Sequence, residues 1–298
     1  MEVCRKAQDF LPLSMKYHSV RLIEEQPRKG ACVMVFLREI TAALDDNHRS
    51  HFPYSVAQRK MPECLRLESP VTFFVGENGS GKSTILEAIA AALNLPAIGG
   101  SSVADDSSLA HARRLGKQLR LVWNQRTRRG FFARSEDFFN FARTMARMVQ
   151  ELAAEAEQYK EQLSGYGLKL ATGSALGQRQ AIIDKYGEDL DANSHGESML
   201  HLLQERLVPQ GMYLLDEPET PFSPVRQLAL LSLIKQMAEQ EDCQFVIATH
   251  SPILLALPGA TIYSFDSSPV VPIQYEEIEH VRLTRDFLNN PQAFLRHL

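Results

Sequence analysis

Long apolar runs are missing from this sequence of 298 residues, and so is the apolar core of a secretory signal. A helix that spans a bilayer needs about 20 consecutive apolar residues, and no run approaches that length. The chain begins with MEVCRKAQDF, which lacks the features of a signal peptide. We therefore expect a soluble, cytoplasmic protein with no insertion into a membrane.

Cysteine is scarce, with four residues, and none of them lies in a CxxC pair or at the spacing of a Cys/His metal site. This argues against a zinc site and against a disulfide framework. Excess positive charge is also missing, because the net charge is -4, which argues against a protein that coats DNA uniformly. The sequence does contain 44% hydrophobic residues, enough for one large globular domain.

The most specific motif is GENGSGKS, at Gly76 to Ser83. It matches G-x-x-x-x-G-K-[ST] and lies between a strand pattern, VTFFV, and a helix pattern, ILEAIAAALNL, as this motif requires. Its glycines allow backbone N–H groups to surround a phosphate at the helix N-terminus. Lys82 would reach the β- and γ-phosphates of a nucleotide, and the Ser83 hydroxyl would bind Mg²⁺. The residues predicted to hold the nucleotide are Gly76, Asn78, Gly79, Ser80, Gly81, Lys82, Ser83 and Thr84.

Two adjacent carboxylates, Asp216 and Glu217, follow the apolar run that starts at Met212. Asp216 fits a Mg²⁺ ligand, acting directly or through water, and Glu217 fits the base that orients and deprotonates an attacking water. A solvated acidic turn is the alternative interpretation. Four apolar residues that lead into consecutive acids favour the end of a buried strand instead.

A third motif, ATHS, places His250 directly after the strand pattern at Gln244 to Thr249. The helix pattern at Val225 to Gln240 joins this strand to the preceding one in a β-α-β unit, so both strands are expected in one parallel sheet. Ligands bind at the carboxyl edge of such sheets. An imidazole there could contact the γ-phosphate or the attacking water, so His250 joins Lys82 and Glu217 as a predicted catalytic residue.

The fourth motif, NSHGES at Asn193 to Ser198, is a small polar loop before a helix pattern. A serine hydroxyl and a glycine amide at a helix N-terminus form an anion site. Because the chain already has a phosphate site in its P-loop, a second site suggests the nucleotide of a second molecule. Ser194, Gly196 and Glu197 are the residues predicted for it.

In this order, the motifs resemble those of ABC-type ATPases, specifically the soluble branch similar to SMC and RecF proteins, and within it small stand-alone bacterial ATPases with an SHGES signature. The resemblance covers about Val71 to Phe265. It implies ATP and Mg²⁺ as cofactors, and a head-to-tail homodimer with ATP between Walker A of one subunit and the signature of the other. The corresponding residues are Gly76 to Ser83 for Walker A, Ser194, Gly196 and Glu197 for the signature, Asp216 and Glu217 for Walker B, Ser223 and Pro224 for the D-loop, and His250 for the H-loop.

The resemblance and the sequence patterns together predict an α/β protein with the ABC-ATPase P-loop fold. We expect a mostly parallel central sheet, a smaller N-terminal antiparallel β part and an inserted helical lobe. The chain, 1–298, is expected to form one domain, with the lobe at about 99–193. Strands of the smaller sheet are expected from YHSVRLIEE, from ACVMVFLREI and from the segment before Pro70.

Several positions depart from the ABC pattern. His195 replaces the first glycine of LSGGQ, and Asn193 replaces its leucine. The Q-loop has two candidates, Gln125 and Glu136, and Tyr54 is a candidate for adenine contact that could equally be a core residue. The insert is also too short for the long coiled coil of SMC proteins.

The predicted function is an ATPase that works as an ATP-dependent dimer switch on DNA, as in DNA repair, or on an effector protein, as in phage defence. The stretch 111–147 holds ten Lys/Arg and two acids, and its arginines alternate with Trp123, Phe131 and Phe132, which suits nucleic-acid phosphates and bases. Core aromatics under a solvated arginine face explain this stretch equally well. A nucleotide-binding subunit of an ABC transporter and a small-molecule P-loop kinase are the alternative functions.

Overall fold

The computed structural model describes residues 34–44, 50–98, 109–186 and 195–296. The strands are β1 (Leu37–Ala42), β2 (Leu65–Arg66), β3 (Val71–Val75), β4 (Leu119–Trp123), β5 (Gly130–Arg134), β6 (Met212–Asp216), β7 (Gln244–Ala248), β8 (Thr261–Ser264) and β9 (Val271–Pro272). The helices are α1 (Tyr54–Lys60), α2 (Lys82–Leu93), α3 (Ala110–Gly116), α4 (Ser135–Gln162), α5 (Gly165–Tyr186), α6 (His195–Arg206), α7 (Pro224–Gln240), α8 (Pro252–Leu255), α9 (Glu279–Asn289) and α10 (Pro291–Leu295).

The central sheet has six strands in the order β5-β6-β7-β3-β8-β9. All neighbouring pairs are parallel except β8 and β9, which are antiparallel. Every residue of β3, β6 and β7 is buried, as expected for continuous apolar strands that are covered on both faces. The predicted fold class, an α/β protein with a mostly parallel central sheet, is confirmed.

Two helical layers cover the two faces of this sheet because successive side chains of a strand point to opposite sides. Phe73 of β3 packs in a cluster with Leu203 of α6 and Leu233 of α7. Its neighbour Phe74 packs in a second cluster that contains Leu86 of α2 and residues of the smaller sheet. The register aligns the carboxyl ends of β3, β6 and β7, since Ala248 pairs with both Phe74 and Asp216.

The smaller sheet is antiparallel, with the order β2-β1-β4. Strands β1 and β2 come from ACVMVFLREI and from the segment before Pro70, as predicted, whereas YHSVRLIEE lies outside the described residues. The Gln244 side chain joins this sheet to β7. Its Oε1 accepts hydrogen bonds from the backbone N of Phe36 and of Leu37, both at 2.9 Å, and its Nε2 donates to the Leu37 carbonyl at 2.9 Å.

The stretch expected as an inserted lobe, 99–193, contributes to both sheets before it becomes helical. Strand β4 pairs with β1, and β5 pairs with β6 at the edge of the central sheet. The long helices α4 and α5 then pack against each other. The segments LRLVW and GFFAR are strands that extend the two sheets, so this part of the stretch is not separate from them. The boundaries of the lobe stay a prediction.

None of the helices in the described ranges combines the length and the apolar character that a bilayer crossing needs.

Candidate functional site

The P-loop joins the carboxyl end of β3 to the first turn of α2. Gly81 caps α2 with a φ of 102°, and a Cβ at this position would lie 2.6 Å from Cγ1 of Val56 in α1. A side chain would therefore be strained by its backbone and would collide with α1, so glycine is needed where the helix begins. The first N–H groups of a helix have no partner within it, and here they open towards the loop, where an anion can bind.

The Lys82 side chain is folded over this loop. Only 4% of the residue is exposed, and Nζ donates to the carbonyl of Gly76 at 2.6 Å and to that of Glu77 at 3.0 Å. Burial lowers the pKa of Lys82, while the nearby Glu217 and Asp216 carboxylates act to raise it. A phosphate in the loop would give the ammonium group a charged partner and a stronger hydrogen bond than a carbonyl does.

Ser83 and Asp216 meet across the gap between α2 and β6. The Ser83 hydroxyl donates to Oδ1 of Asp216 at 3.2 Å. Asp216 is buried, and burial raises its pKa to about 7, although the hydrogen bond from Ser83 opposes this shift. A divalent cation would favour the charged form of such a carboxyl group.

The pair fits a Mg²⁺ ion that is bound together with a nucleotide. A hydroxyl and a carboxylate are hard oxygen ligands, and Mg²⁺ bound to nucleotides keeps several waters and takes the rest of its ligands from phosphates. The described ranges contain no cluster of three or more His, Cys, Asp or Glu that could hold a metal by itself. Metal binding here would therefore depend on the nucleotide, as expected for a P-loop.

Glu217 and His250 face the space in front of the P-loop. Glu217 has a φ of 48°, which is uncommon for a residue with a side chain, and its backbone N donates to the Ala248 carbonyl at 2.9 Å. Its Oε1 lies 3.9 Å from Nε2 of His250, which is buried and without a hydrogen-bond partner in the described part of the chain. Burial, and then the charge of Lys82, lower the pKa of His250. A carboxylate and a mostly neutral imidazole therefore lie together where a water could be oriented.

Glu219 is a site residue that the sequence reasoning missed. Its Oε1 accepts a hydrogen bond from the backbone N of His250 at 2.7 Å, and its side chain also bonds Thr249. Burial raises the pKa of Glu219, and these hydrogen bonds oppose the shift. Glu219 thus fixes the loop that carries His250. Its place in LLDEPE was visible in the sequence, but nothing there linked it to residue 250.

Asp266 was also missed. It follows β8, and its Oδ1 accepts a hydrogen bond from the backbone N of Glu77 at 2.8 Å. The same oxygen would lie 3.0 Å from a Cβ placed on Gly76, which has a φ of 151°. Asp266 therefore closes the P-loop from the β8 side, and its charge acts on both Lys82 and His250.

The predicted signature is described only in part. Ser194 lies outside the described residues, and Gly196 and Glu197 lie in the first turn of α6, where the backbone alone is described. Thr84 lies in the first turn of α2, and Tyr54 begins α1 and packs against the core cluster on that side of the sheet. The role of the signature stays a prediction.

The structure separates the two Q-loop candidates. Gln125 lies at the amino edge of the central sheet, where its backbone N donates to the Phe36 carbonyl at 3.4 Å, and this edge is opposite the P-loop. Glu136 follows the carboxyl end of β5, whose last residue, Arg134, pairs in register with Asp216. Only Glu136 lies on the nucleotide edge, and its carboxylate pairs with Arg134 at 2.9 Å.

Two phenylalanines of the basic stretch 111–147, both in β5, are not exposed to nucleic-acid bases. Phe131 and Phe132 are buried in β5, and Trp123 packs against the core. Arg134 pairs with Glu136 and Asp137. The alternative interpretation, in which these aromatics are core residues, is therefore correct for the two phenylalanines. The exposed arginines around β4 are the remaining candidates for contact with nucleic-acid phosphates.

Two family models match the sequence. A model of the AAA domain matches residues 47–204. A second model, described as "AAA domain, putative AbiEii toxin, Type IV TA system", matches residues 199–256. The first match includes the P-loop, and the second includes Asp216, Glu217 and His250. No curated protein matches the sequence.

Solved structures with similar folds include two SMC head domains and a part of an ABC transporter complex. The SMC head domain from Thermotoga maritima is 16% identical, with 80% of this chain and 100% of that chain covered and a TM-score of 0.38. The Smc head domain from Pyrococcus furiosus, bound to the C-terminal domain of ScpA, is 12% identical, with 85% and 100% covered and a TM-score of 0.40. CbiO1 from Clostridium perfringens, part of the ABC transporter complex CbiONQ, is 13% identical, with 89% and 100% covered and a TM-score of 0.40.

These structural likenesses are too distant to assign an activity or a partner. The match to the AAA domain model is different in kind, because residues 47–204 make up more than half of the 298 residues and include the complete P-loop. This chain belongs to the AAA domain family.

Proposed function

We propose that this protein binds ATP with Mg²⁺ and hydrolyses it to ADP and phosphate, as the switching step of a head-to-tail dimer. The observation that carries the proposal is the meeting of five side chains at one sheet edge. Lys82 crosses the P-loop, Ser83 bonds Asp216, and Glu217 lies 3.9 Å from His250. These are the groups that P-loop hydrolysis requires.

The chemistry follows from their positions. Mg²⁺ would be held by Ser83 and Asp216, and when bound it neutralises charge on the β- and γ-phosphates. Glu217 accepts a proton from water as the water oxygen attacks the γ-phosphorus and the bond to ADP breaks. Lys82 stabilises negative charge on the phosphate oxygens. His250 orients the γ-phosphate or the attacking water through its Nε2.

Dimerisation is proposed from the second anion site at Ser194 and Gly196. The backbone of α6 begins at His195, so Gly196 lies at a helix N-terminus, where anions bind. The P-loop already supplies a phosphate site in each subunit, so this helix end is available for the nucleotide of a partner subunit. Two composite sites then form in one symmetric dimer.

The proposed switch acts on DNA or on an effector protein. Exposed arginines near β4, namely Arg120, Arg126 and Arg128, offer phosphate contacts, which favours DNA. The description of the second family model names a toxin of a toxin–antitoxin system, which favours an effector. Binding of DNA that falls steeply as salt rises would support the first output, and absence of DNA binding at low salt would remove it.

The test of hydrolysis compares Glu217→Gln with Lys82→Ala. Glu217→Gln removes the base but keeps the shape of the side chain, so we expect ATP binding to persist while hydrolysis falls by about 10²- to 10⁴-fold. Lys82→Ala should abolish productive ATP binding. Phosphate release and equilibrium binding of a fluorescent ATP analogue measure the two effects separately.

Glu239→Gln is a matched control, because it makes the same change of residue type at an exposed position of α7. It should leave both measurements unchanged. A Glu217→Gln protein that hydrolyses ATP at the normal rate would show that the base is another group. Capture of partners by Glu217→Gln with ATP, followed by identification of bound protein and nucleic acid, tests the output.

A further inference from the structure

A second histidine, His280, lies at the nucleotide edge although it is far along the chain from every motif. It lies in the first turn of α9, and its ring centroid is 6.0 Å from that of His250. Within the described ranges, Nε2 of each ring is buried and has no hydrogen-bond partner. Two imidazoles from separate elements therefore share one polar space beside the P-loop.

The groups that surround His280 are residues of the nucleotide site. Its imidazole lies beside the ring and the backbone of His250. Burial lowers the pKa of His280, Asp266 and the His250 backbone act to raise it, and the charge of Lys82 lowers it further. Asp266 in turn holds the backbone of the P-loop. Val281, the next residue of α9, is buried in the core and anchors the start of the helix.

The loop that carries His250 is fixed at several points. Glu219 accepts a hydrogen bond from the His250 backbone N at 2.7 Å. Ser251 donates to Oε1 of Gln227 in α7 at 2.7 Å. His280 adds a contact to the backbone of His250 from α9. Glu219, Gln227 and His280 come from three different parts of the chain, and together they hold the segment that carries the His250 ring.

We propose that His280 is a positioning residue for ATP hydrolysis, which holds the His250 loop so that Nε2 of His250 faces the γ-phosphate beside Glu217. This inference rests on the proposed ATPase function. It makes α9 part of the catalytic assembly, although the motif resemblance ends near Phe265. Nothing in the motifs points to residue 280.

The experiment compares His280→Leu and His280→Asn. His280→Leu keeps much of the volume but loses the polar contact with His250, whereas the Asn amide can restore a polar contact. Because misplacement of a reacting group by about 1 Å can cost about 100-fold in rate, we expect His280→Leu to lower kcat roughly 10- to 100-fold with less than about a threefold change in ATP affinity. His280→Asn should recover most of kcat. Arg282→Leu, an exposed change in the same helix, is the control and should behave as wild type.

A measurement that does not depend on hydrolysis separates this inference from the proposed function. In protein labelled with ¹⁵N-histidine, the imidazole signals of His250 should shift in His280→Leu and not in Arg282→Leu. If wild type hydrolyses ATP no faster than Lys82→Ala, the proposed function is wrong, while the shift still reports whether His280 positions His250.

Three results would overturn the inference. The first is a normal kcat for His280→Leu. The second is a loss of ATP affinity that matches the loss of kcat, which would make His280 a phosphate ligand instead. The third is unchanged His250 signals. A thermal melt of each variant checks folding, and if His280→Leu does not fold, His280→Phe, which keeps a ring but has no polar group, replaces it in the comparison with His280→Asn.

Discussion

The carboxyl group of Asp216 lies in a buried environment that favours its protonated form. Burial raises its pKa from the usual 3.8 to about 7. Between these pH values the folded protein binds more protons than the unfolded chain, so the free energy of unfolding decreases as pH rises from about 4 to 7. Above about pH 7 the carboxyl group is charged in both states, so it lowers the free energy of unfolding no further. A buried carboxyl group that weakens the fold without its ligand is expected at a functional site.

Asp216→Asn should therefore stabilise the nucleotide-free protein at pH 8. The amide carries no charge and can still accept a hydrogen bond from Ser83, so we expect a gain in the free energy of unfolding on the order of 2–4 kcal/mol at pH 8. At pH 4 the gain should nearly disappear. Urea unfolding at both pH values measures it, and an equal gain at both would contradict the assigned protonation. Stabilisation by Mg²⁺ with ATP should be weaker in the variant, because a carboxylate ligand is lost.

Glu219 gives a second prediction at this scale. Glu219→Leu leaves the backbone N of His250 without its acceptor and frees the His250 loop, so we expect kcat to fall about tenfold with ATP affinity nearly unchanged. Glu219→Gln keeps an acceptor oxygen and is the control. Steady-state hydrolysis and equilibrium binding of ATP measure the two effects. Equal rates for the Leu and Gln variants would show that this hydrogen bond does not position His250.

The residues that the sequence predicted and those it missed differ in one physical respect. Lys82 and Ser83 were identified because their positions within one continuous loop determine their chemistry. Glu219, Asp266 and His280 act through contacts with segments far away in sequence. A polar residue after a strand gives no sign of its partner until the sheet order brings the strand ends together.

At the scale of elements, burial on both faces made strands predictable. The patterns VTFFV and MYLLD coincide with β3 and β6, because a central parallel strand is apolar at every position. Strand β9 has only two residues, because it includes a proline and pairs, among the described strands, with β8 alone. Strands β4 and β5 were placed in the helical lobe because nothing in their sequence shows which sheet they join.

Gln244 gives the prediction at this scale. Its side chain satisfies two backbone N–H groups and one carbonyl where the smaller sheet meets β7, and it is completely buried. Gln244→Leu would leave these groups without partners, so we expect a loss of about 2–4 kcal/mol in the free energy of unfolding. Gln244→Glu keeps the acceptor oxygen for both N–H groups and should lose less at a pH where the carboxyl group is protonated.

Chemical denaturation measures the loss in both variants, and hydrogen exchange locates it. Amides of β1 should exchange faster in Gln244→Leu, while those of β6 should change less. Equal stability of Gln244→Leu and wild type would show that the smaller sheet is attached mainly by its apolar contacts.

At the scale of the whole molecule, the sheet edge that carries the P-loop leaves the side chain of Glu217 partly open to solvent. Lys82, Asp216, Glu217 and His250 gather at one edge of the sheet. The side chain of Glu217 remains 39% exposed, and such exposure is unfavourable for a base that must exclude bulk water. Closure by a second subunit over this edge would remove that exposure. The exposure of Glu217 therefore favours the proposed dimer over hydrolysis by a single subunit.

Mixing two inactive variants tests this shared site. In a heterodimer of Lys82→Ala and Ser194→Arg subunits, one composite site combines both defects, while the other combines an intact P-loop with an intact signature. If half of the dimers are mixed and the two sites act independently, an equal mixture should recover about a quarter of wild-type hydrolysis, although each variant alone is inactive. Adding Glu217→Gln to the Ser194→Arg subunit is the control and should abolish the recovery, because the intact site uses that subunit's base. Absence of recovery, with heterodimers demonstrated by differently tagged subunits, would place the whole reaction within one chain.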